Sequence, residues 1–369
     1  MSKTVIRLGD REYSYWIGHH WLDELVQRIE RIGADKYFID ADQNLARSHA
    51  GEIQKCMAPT HPTEIVVHGS SEGSKNLATI DRLATQLVEM GATRQSCIVA
   101  VGGGMTGNLG GLLAGLLFRG IRLVHVPTTL LAALDSVISI KQAVNGAGAK
   151  NTLGMYHAPE MVVTDTEFFA TLPASQIRSG LCEVIKNAVA VCPEEIVFLK
   201  ASLNPACTYD AGFFAELIQR NVKAKMHLIC DDPREQQKGL VFEYGHTVGH
   251  ALEIAAHGSL THGEAVGLGM LTAVRIGALI SSGVSELEVE THRDLLLGIG
   301  AYVQIPDNIP VAGVLDNITK DNKRGYLACS REQVPMVLLE AIGRPSSRNG
   351  RPLHPVHIRT IEHALEVLV

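Results

Sequence analysis

Short apolar runs alternate with helical patterns through the first part of the chain. Between two of these runs, Leu77, Ile80, Leu83 and Leu87 recur every three or four residues and so fall on one face of a helix. Strands that alternate with amphipathic helices are typical of an α/β domain, in which such a helix crosses over between strands. The pattern predicts a crossover helix at residues 77–90 and strands at residues 36–39, 64–67, 97–101, 123–126 and 161–164.

The pattern changes from about residue 173 onward. Ile177, Leu181, Val184 and Ile185 recur three and four apart, and strand-like runs are missing from this stretch. Pro173 suits the start of a helix, where its missing N–H does no harm. We therefore predict an α/β domain at residues 1–172 and a mainly α-helical domain at residues 173–369.

Composition excludes several classes of protein. The 369 residues carry a net charge of -6, so no basic excess points to nucleic acid. The N-terminal stretch lacks the apolar run of an export signal, and no apolar stretch is long enough to span a membrane. The seven cysteines are scattered and never spaced as C-x-x-C, which predicts neither disulfides nor a thiolate zinc site. We expect a cytoplasmic protein that binds neither nucleic acid nor membrane.

A glycine turn follows the predicted strand at residues 97–101. Gly102, Gly104 and Gly107 satisfy the pattern G-x-G-x-x-G, which presents backbone N–H groups to a pyrophosphate, although glycine turns also arise for steric reasons alone. The acidic residue that usually binds the ribose is missing after the next strand. Asp42, after an upstream strand, is a substitute, but it fits equally well as a turn residue.

Three histidines and a carboxylate suggest a metal site. His246 and His250 stand four apart, hence on one face of a helix, and His262 follows beside glycine. Glu183 lies within an otherwise apolar helix, where an unpaired carboxylate is costly. Two or more imidazoles with a carboxylate are a common ligand set for a catalytic divalent cation. Lys186, three residues after Glu183, is the alternative, purely structural partner of that carboxylate.

Several stretches of the chain closely resemble the 3-dehydroquinate synthase family of sugar-phosphate cyclases, and the resemblance covers essentially the whole sequence. These stretches are residues 101–104, 125–129, 135–136, 141, 150–151, 183–186 and 245–250. The resemblance implies a dehydroquinate synthase-like fold, with an α/β N-terminal NAD-binding domain and a mainly α-helical C-terminal metal- and substrate-binding domain. It also implies a homodimer that acts on a small sugar phosphate with NAD and a divalent metal, cobalt or zinc.

The resemblance also assigns residues to sites. Glu183, His246 and His262 would ligate the metal, while Lys141, Glu243 and His250 would act in catalysis. The residues implied around NAD are Asp42, Glu72, Lys75, Gly104, Met105, Thr106, Gly107, Asn108, Thr128, Thr129, Ser139, Ile140, Lys141, Lys150 and Asn151. The residues implied around the substrate are Asp135, Lys186, Lys225, Lys323 and Arg119. Arg119 would reach the phosphate in a neighbouring subunit, although a solvated helix end is an equal explanation.

Two positions indicate which of the family's substrates this chain uses. Dehydroquinate synthases hold an asparagine where this chain has Glu243 and an arginine where it has Gly239. That arginine would meet a substrate carboxylate, so its loss fits a neutral sugar ring. The resemblance is to the branch that acts on glucose 6-phosphate in aminoglycoside antibiotic biosynthesis. The predicted activity is that of a carbon–oxygen lyase, which closes glucose 6-phosphate into a carbocycle and releases phosphate.

Three other functions stay open from the sequence. A dehydroquinate or valiolone-type synthase would use the same cofactors on a heptulosonate or a heptulose phosphate. An NAD-dependent, metal-containing polyol dehydrogenase would release NADH stoichiometrically. A metal-stabilised interaction module without catalysis would keep its metal closed to solvent.

Overall fold

The computed structural model describes residues 1–280, 283–319, 323 and 325–369. The chain divides into two compact units. The first comprises Met1–Leu172 and Asp210–Gln219, and the second comprises Pro173–Tyr209 and Arg220–Val369.

The first unit is built from alternating strands and helices. In chain order these are β1 (Ser2–Leu8), β2 (Arg11–Gly18), α1 (Leu22–Glu30), β3 (Tyr37–Asp42), α2 (His49–Met57), β4 (Thr63–His68), α3 (Leu77–Glu89), β5 (Cys97–Gly102), α4 (Gly104–Leu116), β6 (Arg122–Pro127), β7 (Lys141–Gly146), β8 (Ala149–Tyr156) and β9 (Met161–Asp165). The five strands predicted from the sequence are β3, β4, β5, β6 and β9, and the predicted crossover helix is α3, so these predictions are confirmed.

Seven strands form one sheet in the order β1-β2-β9-β6-β5-β3-β4. The β1–β2 pair is antiparallel, and every other pair in the sheet is parallel. All residues of β5 are buried, because helices cover both faces of a parallel sheet, and this burial explains the continuous apolar run at Cys97–Gly102. The carboxyl end of β5 leads directly into the glycine turn.

Helices pack against both faces of this sheet. On one face Leu25 of α1 and Ile53 of α2 pack with Val99 of β5 in a single buried cluster. On the other face Leu83 of α3 and Leu113 of α4 pack in a cluster that contains the β5 residue Ile98. Successive side chains of β5 therefore pack into the apolar clusters on opposite faces of the sheet, as the alternation of side chains along a strand requires.

A separate antiparallel hairpin, β7–β8, is missing from the sequence-based prediction. Almost every residue of β8 is exposed, so the strand has no apolar run of the kind from which the other strands were predicted. Its pairing with β7 is what defines it as a strand.

The second unit is mainly helical. Its elements, together with α7, which begins in the first unit, are α5 (Ala174–Ala190), α6 (Glu195–Ser202), α7 (Ala211–Ile229), α8 (His246–Ala255), α9 (His262–Ile280), α10 (Glu286–Gly298), α11 (Val311–Ile318), β10 (Gln333–Val337), β11 (Leu339–Ala341), β12 (Arg344–Pro345), β13 (Leu353–His357) and α12 (Ile358–Glu366). The short strands form two antiparallel pairs, β10–β13 and β11–β12, which the helical periodicity does not predict. The predicted combination of an α/β part and a mainly helical part is confirmed.

The expectation that no apolar stretch is long enough to span a membrane is wrong for α9, which, within the described part of the chain, is the one helix whose length and apolarity would suffice. Its most apolar window is 78% buried within the protein. Such burial is typical of the core helix of a globular unit.

Candidate active site

Glu183 is the carboxylate at the centre of the candidate metal site. It lies on α5, and only 1% of the residue is exposed. One of its oxygens, Oε2, accepts a hydrogen bond from Nζ of Lys186 at 2.5 Å, so the structural partner that the sequence suggested is present. The other oxygen, Oε1, is buried and has no hydrogen-bond partner among the described residues. Glu183 therefore keeps one oxygen available for a cation.

His246 begins α8 and faces that oxygen. Its Nε2 lies 3.5 Å from Oε1 of Glu183, and its Nδ1 lies 3.2 Å from the carbonyl oxygen of Tyr244. Gly245, immediately before it, has φ +79°, a left-handed conformation that glycine adopts without steric cost. If Nδ1–H donates to the Tyr244 carbonyl, the lone pair of Nε2 points towards Glu183.

Hydrogen bonds fix the position of the Tyr244 side chain. Its hydroxyl lies 3.1 Å from Nε2 of His292, and Nδ1 of His292 lies 2.7 Å from the carbonyl oxygen of Glu288. Burial lowers the pKa of His292 to about 4, so this imidazole is neutral at pH 7. Its Nδ1–H donates to Glu288 and its Nε2 accepts from the Tyr244 hydroxyl. The chain of hydrogen bonds fixes the carbonyl that orients His246.

His262 is supplied by the first turn of α9. Thr261 and Glu264 form a reciprocal cap there, because Oε2 of Glu264 accepts from the Thr261 N–H at 3.0 Å while the Thr261 hydroxyl accepts from the Glu264 N–H at 3.3 Å. A Cβ on Gly263 would lie 2.1 Å from the carbonyl oxygen of Ser179 on α5, so only glycine allows this approach. The close contact brings Nε2 of His262 to 3.6 Å from Oε1 of Glu183.

Glu183, His246 and His262 together fit a divalent cation. One ligand atom from each lies within 4.8 Å of the others. Burial, and next the ammonium of Lys186, holds the pKa of His246 well below its usual range, which keeps the imidazole neutral and its lone pair available. Two imidazoles and one carboxylate suit zinc or cobalt and leave a coordination position for a substrate oxygen. The buried Oε1 of Glu183, which has no hydrogen-bond partner among the described residues, is the strongest sign of a cation site.

Basic and acid/base side chains surround this cluster. The ring centroid of His250 lies 5.3 Å from the ring centroid of His246 and 6.0 Å from that of His262. Nζ of Lys323 lies 3.1 Å from Oε2 of Glu243, and Lys323 is almost fully buried. Nζ of Lys225, also buried, lies 5.2 Å from the ring of Phe242, the neighbour of Glu243. Three buried lysines, Lys186, Lys225 and Lys323, thus lie in this unit, and two of them are paired with the carboxylates of Glu183 and Glu243.

In the first unit, the glycine turn joins β5 to α4 as the sequence predicts. Gly103 caps α4, which begins at Gly104, and the N–H of Thr128, immediately after β6, donates to the carbonyl of Gly102 at 3.0 Å. The first N–H groups of a helix have no acceptor within it and carry partial positive charge. The N–H of Gly107 already donates to the carbonyl of Gly103 at 3.0 Å, whereas Gly104, Met105 and Thr106 form the first turn, the kind of position that suits an anion such as a pyrophosphate.

Asp42 and Asn108 each have a structural contact. Oδ1 of Asp42, at the end of β3, accepts from the N–H of Asn44 at 2.8 Å, as a turn residue does. The side-chain amide of Asn108 donates to the carbonyl of Gly104, and its oxygen accepts from the N–H of Ala143 on β7. Asn108 thus fixes the start of α4 to the hairpin.

The structure brings another group of predicted NAD residues together across a long stretch of sequence. Nζ of Lys75, a buried side chain, lies 2.5 Å from Oδ1 of Asn151 on β8. Oε1 of Glu72 accepts from the amide of Asn145 on β7 at 2.8 Å. The loop before α3 and the hairpin therefore form one polar surface, and the neighbouring Lys150 is exposed on it.

The remaining predicted residues of this unit lie on nearby segments. The hydroxyl of Ser139 accepts from the N–H of Lys141, and Ile140 between them is buried. Thr129 follows β6, and its hydroxyl accepts from the N–H of Ala132 at 3.2 Å. Asp135 lies in the π-helical segment Ala132–Ser136. Arg119 is exposed at the end of the short helical segment Leu117–Arg119, with φ +70°.

Sequence reasoning missed two kinds of residue. The first kind contacts the candidate metal ligands, and Glu253 is the clearest case, because its Oε2 lies 3.1 Å from Nδ1 of His262. The spacing of seven between His246 and Glu253 was the available signal, since such residues share a helical face. The second is a surface group in the first unit, whose ligand atoms also lie within 4.8 Å of one another: His19, His20 and Glu167.

Comparison with known proteins identifies the family. The N-terminal part of the 3-dehydroquinate synthase family matches residues 65–179, and the C-terminal part matches residues 180–324. The 2-deoxy-scyllo-inosose synthase of Streptomyces kanamyceticus is 42% identical over 354 residues, which cover 96% of this chain and 90% of that protein. That of Micromonospora echinospora is 42% identical over 351 residues, which cover 95% of this chain and 88% of that protein. A crystal structure of 2-deoxy-scyllo-inosose synthase complexed with carbaglucose-6-phosphate, NAD+ and Co2+ has a TM-score of 0.92 and 35% identity, over 100% of both chains. This chain therefore belongs to the 3-dehydroquinate synthase family.

Proposed function

We propose that this chain converts glucose 6-phosphate into 2-deoxy-scyllo-inosose and phosphate, as a carbon–oxygen lyase of aminoglycoside antibiotic biosynthesis. The observation that carries the proposal is the convergence of Glu183, His246 and His262 on one point. Relatives that share about two fifths of the sequence over nearly its full length are named for the same product. A similar solved structure holds a glucose 6-phosphate analogue, NAD+ and Co2+.

We assign NAD+ to the first unit and a divalent cation, cobalt or zinc, to the second. The first turn of α4, Thr128, Thr129 and the polar surface around Lys75 and Asn151 would hold NAD+, while Glu183, His246 and His262 would hold the metal. When bound, NAD+ supplies a reversible hydride acceptor and the metal supplies Lewis-acid polarisation of a substrate hydroxyl.

Glu243 is the proposed general base. Once carbon 4 is a ketone, for which bound NAD+ would supply the hydride acceptor, the neighbouring proton on carbon 5 is acidic; its removal leaves the electron pair of that C–H bond to form the C5–C6 double bond as the C–O bond to phosphate breaks. The carboxylate of Glu243, 21% exposed and held by Lys323 at 3.1 Å, is suited to accept this proton. His250, beside the metal ligands, and Lys141 are the further candidates for proton transfer.

The charges of the site favour a neutral sugar ring with one phosphate. Glu243 supplies an anionic partner for the buried Lys323 from within the chain, so a substrate carboxylate is not needed for that purpose. Gly239 adds no cation, and the Cβ of a larger residue there would lie 3.0 Å from Oδ2 of Asp232. Lys186 and Lys225 are proposed to attract the phosphate. These features favour glucose 6-phosphate over a heptulosonate.

The proposal also covers the oligomeric state of the chain and its cellular compartment. We assign the chain to a homodimer in which Arg119 reaches the phosphate bound to the partner, and to the cytoplasm. The left-handed backbone of Phe118 and Arg119 supports a special role for this exposed segment, because such strain is concentrated at functional positions. The seven free cysteines are consistent with a reducing compartment.

The test is an incubation of the full chain with glucose 6-phosphate, Co2+ and NAD+ at a small fraction of the substrate concentration. We expect phosphate and 2-deoxy-scyllo-inosose to form in equal amounts, many turnovers per NAD+, without accumulation of NADH. A heptulosonate phosphate and a heptulose phosphate serve as competing substrates, and the His246→Ala variant is the control without a complete metal site. Stoichiometric NADH would instead indicate a polyol dehydrogenase, and turnover of a heptulose compound alone would identify a sibling cyclase.

A further inference from the structure

One face of α8 carries a third polar side chain beside the two histidines. His246, His250 and Glu253 are spaced four and three apart, which aligns them along one side of the helix. His246 contacts Glu183 and His250 packs against both of the other histidine rings. Glu253, two turns from His246, contacts His262 at the start of α9.

The contact between Glu253 and His262 is specific. Oε2 of Glu253 lies 3.1 Å from Nδ1 of His262, while Nε2 of the same ring lies 3.6 Å from Oε1 of Glu183. The side chain of Glu253 is 19% exposed and that of His262 is 31% exposed, so the pair is partly shielded from water. One nitrogen of the ring thus faces an anion outside the cluster and the other faces the metal position.

The two histidine ligands differ in what orients them. Nδ1 of His246 faces a neutral backbone carbonyl at 3.2 Å, whereas Nδ1 of His262 faces a carboxylate. A carboxylate that accepts the Nδ1–H fixes the tautomer in which Nε2 carries the lone pair, and its charge makes that lone pair more basic. The carboxylate also adds negative charge near the cation.

We propose that Glu253 is a positioning residue that tightens metal binding by orienting and polarising His262. The proposal rests on the metal site of the proposed function, and it adds a residue that touches neither metal nor substrate. Loss of such a partner typically costs 10-fold to 100-fold in metal affinity. Two variants separate the contributions of the charge and of the hydrogen bond. Glu253→Gln keeps an acceptor oxygen and removes only the charge, whereas Glu253→Ala removes both.

The experiment is a titration of the metal-stripped full chain with Co2+. The visible absorption bands of the bound ion report how much Co2+ has bound. We expect Glu253→Gln to weaken binding about 10-fold and Glu253→Ala to weaken it by up to about 100-fold. Glu290→Gln removes the same charge from an exposed position on α10 and is expected to bind as the wild type does. The absorption spectrum of Glu253→Ala should also change, because a loosened imidazole alters the ligand field.

Two outcomes separate the possible failures. If Glu253→Gln and Glu253→Ala both bind Co2+ within twofold of the wild type while His246→Ala loses binding, the role of Glu253 is wrong and the metal site stands. If His246→Ala also binds as the wild type does, the metal site itself is wrong. Should Glu253→Ala fail to fold, the isosteric Glu253→Gln decides the matter alone.

Discussion

The ammonium of Lys186 lies 2.5 Å from Oε2 of Glu183, one turn away on α5, and both side chains are 2% exposed. This pair leaves the opposite oxygen of the same carboxylate facing two imidazoles. One carboxylate oxygen of Glu183 is therefore paired with the ammonium of Lys186, and the other lies at a position suited to a metal ion.

Lys186→Met should destabilise the metal-free protein strongly. Removing one member of a buried pair leaves an uncompensated charge, at a cost of about 3–5 kcal/mol. Co2+ should restore part of that loss, because it gives the carboxylate a new cationic partner. The measurement is urea unfolding with chelator and with Co2+.

Lys200→Met is the matched control for that measurement, because Lys200 pairs with Asp294 at 3.8 Å and both side chains are about half exposed. Its cost should stay within about 1 kcal/mol. Equal stability of the two variants would show that the Lys186–Glu183 pair is not buried as described.

Gly263→Ala should separate α5 from α9. The new Cβ would meet the carbonyl oxygen of Ser179 at 2.1 Å, so the helices must move apart and carry His262 away from Glu183. We expect a loss of about 1–3 kcal/mol in the free energy of unfolding and weaker Co2+ binding.

Gly313→Ala on α11 provides the comparison, because its nearest contact would be an ordinary 3.5 Å from Cγ of Pro310. That substitution should stabilise the protein by about 0.5–1 kcal/mol, since alanine favours a helix over glycine. If Gly263→Ala behaved like Gly313→Ala, close packing would not be what places His262.

The extent to which the sequence predicted the site depends on the distance over which each contact acts. The glycine turn between β5 and α4 was predictable because strand, turn and helix signals lie side by side. His246 and His250 were predictable from helical spacing. The contact between Lys75 and Asn151 joins residues 76 positions apart, and no local pattern encodes such a pairing. Glu253 was missed because a glutamate on an amphipathic helix is ordinary until its tertiary partner is known.

The N-terminal unit should lose stability as the pH rises through the range in which Asp40 ionises. Burial raises the pKa of Asp40 from 3.8 to about 6, against the opposing effects of His68 and Arg82. Neither carboxylate oxygen has a hydrogen-bond partner among the described residues. Between pH 4 and pH 6 the folded chain keeps a proton that the unfolded chain releases, so stability falls through this window and the loss is complete above it.

Asp40→Asn should remove that part of the pH dependence, which amounts to at most about 3 kcal/mol. Urea unfolding of wild type and variant at pH 4.5 and pH 7.5 measures the difference. Asp81→Asn changes an exposed carboxylate on α3 and should leave the pH profile unchanged. Parallel profiles for wild type and Asp40→Asn would contradict the assignment.

Glu243→Gln should reduce turnover far more than it changes KM. The amide can still contact Lys323 but cannot accept a proton, so kcat should fall about 100-fold to 10,000-fold. Glu243→Asp should recover part of the activity, and Glu362→Gln, an exposed change on α12, should have no effect. Steady-state phosphate release is the measurement, and full turnover by Glu243→Gln would refute the assigned role.

The most direct test of the metal site is anomalous diffraction at the cobalt edge from crystals of the Co2+-loaded chain. We predict one strong peak at about 2.0–2.2 Å from Nε2 of His246, Nε2 of His262 and an oxygen of Glu183. A peak at His19, His20 and Glu167 with none at Glu183 would contradict the account.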